Sequence, residues 1–198
     1  MNLIFATSNS NKLKEIKNLL PKEICINDLN SLNFFEEIPE NENSIKKNAE
    51  FKANFIHSKY NINVFADDTG LEVGVLNGKP GVYSARYAGE DCDSNKNMEK
   101  LLKKLINKKN RKARFKTIIA LVLNNKLHHF EGIVNGTIAH SKKGDKGFGY
   151  DPIFIPEGYK KSFAELSLNE KNEISPVSYT HLRAHETPEH LVCRLLLE

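Results

Sequence analysis

A single stretch restricts the fold more than any other. It is Val64-Phe65-Ala66-Asp67-Asp68-Thr69-Gly70-Leu71, in which an apolar run leads straight into two adjacent carboxylates. Val64 to Ala66 reads as the end of a buried strand. After the Asp pair come a hydroxyl and a glycine able to take positive φ, and then Leu71, Val73 and Val75 alternate as a half-buried strand would. Successive side chains on extended backbone point to opposite sides, so one aspartate can face a cleft while its neighbour reaches a second ligand or a supporting group. Paired carboxylates at a strand end suit Mg²⁺, which takes one or two carboxylates plus substrate phosphates. A solvated Asp-Asp turn is the competing use of the same residues, and the rest of the chain has to decide between them.

The chain has 198 residues, enough for one well-buried domain or two closely joined lobes. A hydrophobic share of 39% beside 27% charged residues is that of a soluble globular protein, and no apolar run approaches the ~18 residues of a membrane span. Met1-Asn2-Leu3-Ile4-Phe5-Ala6 lacks a basic leader region and reads as a first strand, so a cytoplasmic protein is expected. Cys25, Cys92 and Cys193 have no metal-like spacing, and their odd number argues against a disulfide framework. A net charge of +4 is too small to demand nucleic acid and is compatible with a cleft that attracts polyphosphate.

Leu3 to Ala6 runs into Thr7-Ser8-Asn9-Ser10-Asn11-Lys12 and then into a helix with Leu13, Ile16, Leu19 and Leu20 on one face, stopped by Pro21. Strand, polar loop and helix start follow the logic of a phosphate-binding loop, with Lys12 adding a mobile charge; a plain polar helix cap is the other reading. Glu36, Glu37, Glu40 and Glu42 make an acidic loop, one member of which can complete a metal site with the Asp pair. A helix is expected from Ser44, with Ile45, Ala49, Ala53 and Ile56 in register, and Asn77 to Gly81 reads as a turn. The third helix carries Met98, Leu101, Leu102 and Leu105 on one face, capped by Asp93 or Ser94. The lysine-rich run from Lys103 to Arg114 reads as a solvated face, since no aromatic residues are interleaved.

Phe115 to Leu123 and Leu127 to Gly132 flank Asn124-Asn125 as an antiparallel hairpin that Ile133 to Ala139 can extend. His128 and His129 are adjacent strand residues and point apart, so they do not share a metal. Gly144 to Pro152 then holds three glycines with Phe148, Tyr150 and Asp151 before the strand Ile153-Phe154-Ile155. Such a loop lets backbone approach a ligand, stacks a ring on a base and offers a carboxylate to base N–H groups. Ser167-Leu168-Asn169-Glu170 is a capping-box pattern that presents Lys171 on a short helix. Alternation of helices and strands with an obligatory hairpin predicts an α/β fold with a mixed sheet.

Taken in order, several segments resemble the inosine/xanthosine triphosphate pyrophosphatase family. They are Thr7 to Lys12, Glu40 with Asn48-Ala49 and Lys52, Ala66 to Leu71, Pro80 to Tyr87, Phe148 to Pro152, and Glu170 to Ser175. The resemblance covers residues 1–175, read as the nucleoside triphosphate pyrophosphatase domain. It implies an elongated mixed sheet flanked by helices in two lobes with a nucleotide cleft between them, and a homodimer. It also implies a reaction in which water attacks the triphosphate of non-standard purine nucleotides (ITP, dITP, XTP), releasing the monophosphate and pyrophosphate. By position, Thr7, Ser8, Asn9, Ser10, Asn11 and Lys12 hold the triphosphate, Glu40, Asp67 and Asp68 hold Mg²⁺, and Asp68 is the general base. Lys52, Thr69, Phe148, Gly149, Tyr150, Asp151 and Lys171 line the substrate. Septum-inhibitor-type nucleotide pyrophosphatases share that fold, and the Phe148-Gly149-Tyr150-Asp151 loop speaks against them. A non-catalytic nucleotide- or RNA-binding module would instead use the basic run 103–114.

The pattern breaks after Ser175, where the family continues with His-Arg and this chain has Pro176-Val177. Residues 1–175 contain 24 Lys and 23 Asn, and residues 176–198 contain neither, while holding three of the seven His. The expectation is that 176–198 form an atypical tail foreign to the fold.

Overall fold

Strand pairing starts in the middle of the sheet. Of β1 (Asn2–Phe5), β2 (Cys25–Asn27) and β3 (Val64–Val73), the first lies parallel to both others, with Leu3 opposite Ile26 and Phe5 opposite Phe65. The computed structural model describes residues 2–9, 12, 13, 16, 25–167, 170, 171 and 174. The remaining strands are β4 (Pro80–Gly81), β5 (Lys112–Leu123), β6 (Lys126–Ile138) and β7 (Phe154–Pro156). The sheet order is β2-β1-β3-β5-β6-β7, with β4 antiparallel to β3 and β7 antiparallel to β6. The sheet is therefore mixed, as the hairpin required.

The described residues divide into two compact units, one built on 1–68 with 117–132 and the other on 69–116 with the chain from 133 onward. In the first, helix α1 (Ile45–Tyr60) starts at the expected Ser44, whose side chain accepts the Lys47 N–H, and buries Ile45, Ala49, Ala53 and Ile56. The core adds Leu3, Phe5, Val64 and Phe65, with the Phe5 and Phe65 rings stacked at 4.4 Å. Asn124 and Asn125 both take positive φ, 50° and 63°, which is the backbone a two-residue hairpin between twisted strands needs.

In the second unit, α2 (Ser94–Lys104) is capped by Asp93, which accepts from the Asn95 and Lys96 N–H groups. Met98, Leu101 and Leu105 join Leu71, Val73, Ile138, Tyr150, Ile153, Phe154 and Phe163 in one core. Phe115, Phe154 and Phe163 pack ring on ring with centroids 4.6 to 6.0 Å apart.

Two expectations need correction. Strand β3 does not end before the Asp pair but runs unbroken through Asp67, Asp68, Thr69 and Gly70 to Val73. Parallel β1 pairs with its start at Val64 and Phe65, antiparallel β4 with its end at Leu71 and Glu72, and β5 is its other hydrogen-bonded neighbour in the sheet, so no turn is needed at the carboxylates. The basic run is likewise not all solvated face. Lys103, Lys104, Lys108, Lys109, Lys112 and Arg114 are exposed, but Arg111 is buried and donates to the carbonyls of Leu105, Ile138 and Ala139 at 2.7 to 2.9 Å. Ser10, Asn11, Leu19, Leu20, Pro21 and the entire tail 176–198 lie outside the described residues.

Candidate active site

In the first unit β3 carries Asp67 and Asp68 as buried residues, 4% and 7% exposed. A buried carboxylate is tolerated only when charges or hydrogen bonds compensate it. Lys12 Nζ donates to Asp67 Oδ2 at 2.5 Å. On α1, Asn48 and Lys52 stand four residues apart, hence on one face. Asn48 Nδ2 donates to Asp68 Oδ2 at 3.1 Å, while its Oδ1 accepts the Glu42 N–H at 3.1 Å. Since a backbone N–H can only donate, that second bond fixes which end of the amide meets Asp68. Lys52 Nζ donates to Glu40 Oε1 at 2.5 Å.

These five charged residues set three carboxylates against two ammonium groups. Burial lifts the Asp68 carboxyl to about 6, against the pull of Lys52 and Lys12; Glu40 pushes it further up and the Asn48 amide holds it down. Lys12 goes the other way from what burial alone would do: withdrawal from water lowers its pKa, but the Asp67 carboxylate outweighs this and holds it above the ordinary lysine value. The cluster thus keeps the Lys12 cation beside a carboxyl that ionises just below neutrality. All its anionic donors are hard oxygens, the kind Mg²⁺ selects. No three His, Cys, Asp or Glu side chains converge on one point among the described residues. Mg²⁺ requires only one or two carboxylates with substrate oxygens completing its shell, so the donor set fits the ion.

The loop after β1 is organised locally. Thr7 Oγ1 accepts the Asn9 N–H at 3.1 Å, and Asn9 Oδ1 accepts the Lys12 N–H at 3.3 Å. The Asn9 carbonyl also accepts the Leu13 N–H at 3.2 Å, so Asn9 caps the turn it opens, and Ser8 is exposed. Thr69 follows Asp68 on β3 and is half-buried.

The second unit brings Phe148, Gly149, Tyr150, Asp151 and Lys171 together. Asp151, 5% exposed, accepts the Phe148 N–H and the Lys171 ammonium on the same oxygen, each at 2.9 Å. Lys171 Nζ also sits 4.8 Å from the Phe148 ring centroid, a cation over an aromatic face. Gly147 takes φ 77°, and a Cβ there would collide with Asp151 Oδ2, so only glycine lets the carboxylate fold back over the loop. The expected cap is present: Ser167 N–H and hydroxyl donate to Glu170, and the Ser167 hydroxyl accepts the Glu170 N–H. It starts the turn that carries Lys171.

Sequence reasoning left Asn48 out of the site. The signal was available, because a polar residue at 48 falls within the apolar stripe of Ile45, Ala49, Ala53 and Ile56, where only a partnered side chain survives.

Fold and site together define an α/β protein with a mixed sheet, a lysine–carboxylate cluster around two buried aspartates and an aromatic loop closed by a carboxylate. More narrowly, the chain belongs to the Ham1 family, whose model matches residues 3–178. It is 55% identical over 175 residues to a dITP/XTP pyrophosphatase from Flavobacterium psychrophilum, covering 88% of this chain and 92% of that one. It is 44% identical over 176 residues to a dITP/XTP pyrophosphatase from Bacillus subtilis, covering 87% and 89%. The solved structure of the Staphylococcus aureus Ham1 protein superposes with a TM-score of 0.83 at 37% identity, covering 91% of this chain and 94% of that one. The family resemblance drawn from the sequence and the mixed α/β fold are both borne out.

Proposed function

We propose that this chain is a Mg²⁺-dependent pyrophosphatase that hydrolyses dITP, ITP and XTP to the nucleoside monophosphate and pyrophosphate. The observation that carries it is the cluster of Lys12, Lys52, Glu40 and Asn48 around the buried Asp67 and Asp68, in a chain 55% identical over 175 residues to a dITP/XTP pyrophosphatase. Lys12 and Lys52 exchange their carboxylate partners for phosphate oxygens and neutralise charge as it develops there. Asp68, ionised at neutral pH, takes the proton of the attacking water as oxygen bonds to the α-phosphorus. The bond from that phosphorus to the bridging oxygen breaks, and pyrophosphate leaves with the bond's electron pair. Asn48 keeps one Asp68 oxygen engaged and so orients the other. Asp67, Asp68 and Glu40 would hold Mg²⁺ with substrate oxygens completing its shell, and the ion would supply further neutralisation of the phosphate oxygens. Thr7 to Lys12 cradle the triphosphate. Phe148 stacks on the base, and Lys171 with the loop backbone reads its 6-keto edge.

Metal dependence provides the test. Pyrophosphate release from XTP or dITP is expected with Mg²⁺ and is lost with EDTA, and Glu40→Gln raises the Mg²⁺ needed for half-maximal rate. Binding without pyrophosphate release would make the chain a nucleotide-binding module instead. Among the described residues no helix is long and apolar enough to cross a membrane. We further take the enzyme to be a cytoplasmic homodimer that binds neither nucleic acid nor membrane. Residues 1–175 are taken as its catalytic domain and 176–198 as a foreign tail, supported by the loss of all Lys and Asn beyond 175. Replacing Pro176-Val177 by His-Arg should sharpen preference for XTP over ATP; an unchanged preference would return the tail to the domain.

A further inference from the structure

Opposite residues of an antiparallel pair are joined directly, N–H to carbonyl, at hydrogen-bonded positions. Leu71 on β3 lies opposite Gly81 on β4. The Leu71 N–H nevertheless goes to Ser84 Oγ at 2.8 Å, and Ser84 Oγ donates to the Gly81 carbonyl at 2.6 Å. A serine hydroxyl is thus inserted into the ladder as a spacer, a role that needs a group both accepting and donating. The carbonyl of that same serine accepts the Tyr150 hydroxyl at 2.9 Å. Tyr150 and Ser84 are 5% and 8% exposed and Leu71 is fully buried, so water is a poor substitute for either bond. Burial holds the Tyr150 phenol well above its ordinary pKa, which keeps it a donor throughout the working range.

Tyr150 belongs to the aromatic loop and stands two residues from Phe148. Gly147 and Gly149 take φ 77° and 60°, so the backbone on either side of Phe148 is held in a bend with little side-chain packing of its own. The Tyr150 ring is packed in the core of the second unit, and its hydroxyl ends the loop on the Ser84 carbonyl. We propose that Tyr150, through Ser84, is a positioning residue that tethers the base-binding loop to strand β3 and thereby sets base discrimination. The inference rests on the reading of Phe148 to Asp151 as the base site. The tether fixes the Phe148 ring before substrate arrives, so the cost of ordering the loop is not charged against binding.

Tyr150→Phe removes the hydroxyl and keeps the ring in the core. A net hydrogen bond is worth about 0.5–1.5 kcal/mol, so KM for XTP should rise about two- to twelvefold with kcat changed less than about twofold. The XTP-over-ATP ratio of kcat/KM should fall by the same factor. Hydrogen exchange at the Leu71 and Phe148 amides, measured without nucleotide, should quicken. Ser84→Ala should reproduce the loss, and Ser84→Thr, which keeps a hydroxyl, should restore most of it. Unchanged exchange at both amides, or kcat/KM falling equally for XTP and ATP, would overturn the proposal. Faster exchange in a chain that hydrolyses no nucleotide would sink the functional reading and leave the tether standing.

Discussion

The two units bury charge by opposite means. In the first, Asp67 meets Lys12 across 55 positions of sequence and Asp68 meets Asn48 across 20, so side chains from separate elements answer one another. In the second, Arg111 is satisfied by three backbone carbonyls, and Asp151 by the Phe148 N–H three residues away as well as by the Lys171 ammonium across 20 positions. Backbone partners do not leave when a ligand comes. Side-chain partners do, because an ammonium can trade a carboxylate for a phosphate of equal charge. The first arrangement makes charge available for chemistry, and the second uses charge to fix a shape.

Asp68→Asn breaks this contrast most severely. Loss of the general base should lower kcat by about 10²–10⁴, and retention of more than about a tenth of the rate would remove Asp68 from that role. Stability should move the other way. A carboxyl lifted from 3.8 to about 6 in the folded state binds its proton more tightly there than in the unfolded chain. Folding stability therefore falls as pH rises between those two values, and above them the ionised carboxylate costs up to about 3 kcal/mol. A neutral amide in its place escapes that cost, so the inactive variant should melt higher than the wild type at pH 7.5 and no higher at pH 4. A lower melting point at pH 7.5 would mean that Lys12 and Lys52 depend on Asp68 more than it depends on them.

Lys12→Ala and Lys171→Ala sharpen the comparison, since each removes one ammonium from one unit. A hydrogen bond to a charged group is worth about 1.5–3 kcal/mol, so Lys12→Ala should weaken triphosphate binding about ten- to a hundredfold and hardly touch nucleoside binding. The Lys12 side chain is 21% exposed against 12% for Lys171, so the Lys12 defect should shrink more as salt rises. Lys171, sheltered by Asp151 and the Phe148 ring, should lose about tenfold in base discrimination with little salt dependence. Titrations of triphosphate and nucleoside at low and high salt separate the two. Identical salt slopes would erase the distinction between a reactive cluster and a shaped loop.

How far each region was legible in the sequence follows the same division. The helix start at Ser44, the cap at Asp93 or Ser94, the Asn124-Asn125 turn and the Ser167–Glu170 box depend on neighbours within four residues, and the structure has them, with Asp93 as the cap. The break placed before Asp67 was wrong because β3 draws its partners from three different strands, β1, β4 and β5, a long-range fact that local composition does not carry. Arg111 misled for a related reason. Nothing beside it in the basic run distinguishes it from the lysines, and its three acceptors come from Leu105, Ile138 and Ala139. Asparagine was the least exploited signal. Asn33, Asn61 and Asn77 each end a helical segment with φ 53°, a place glycine usually fills, so this chain marks its stops with Asn.

Asn48→Ala is the smallest of the expected effects and tests how finely the cluster is tuned. The Asn48 amide donates to Asp68 and stabilises its ionised form, so it holds down a pKa that burial has raised to about 6. Without it the protonated carboxyl is favoured further, and the acid limb of kcat/KM should move to higher pH. The rate should fall visibly at pH 6, where the base is then mostly protonated, and little at pH 8, where it is ionised in both proteins. A divalent cation bound there would pull the limb to lower pH by favouring the carboxylate, so both profiles have to be taken at one metal concentration. Asn48→Asp should exaggerate the shift, because a second carboxylate replaces the donor. A limb that stays in place in Asn48→Ala, with a uniform loss at every pH, would show that Asn48 holds the Glu42 backbone rather than the base, since its Oδ1 accepts from that N–H.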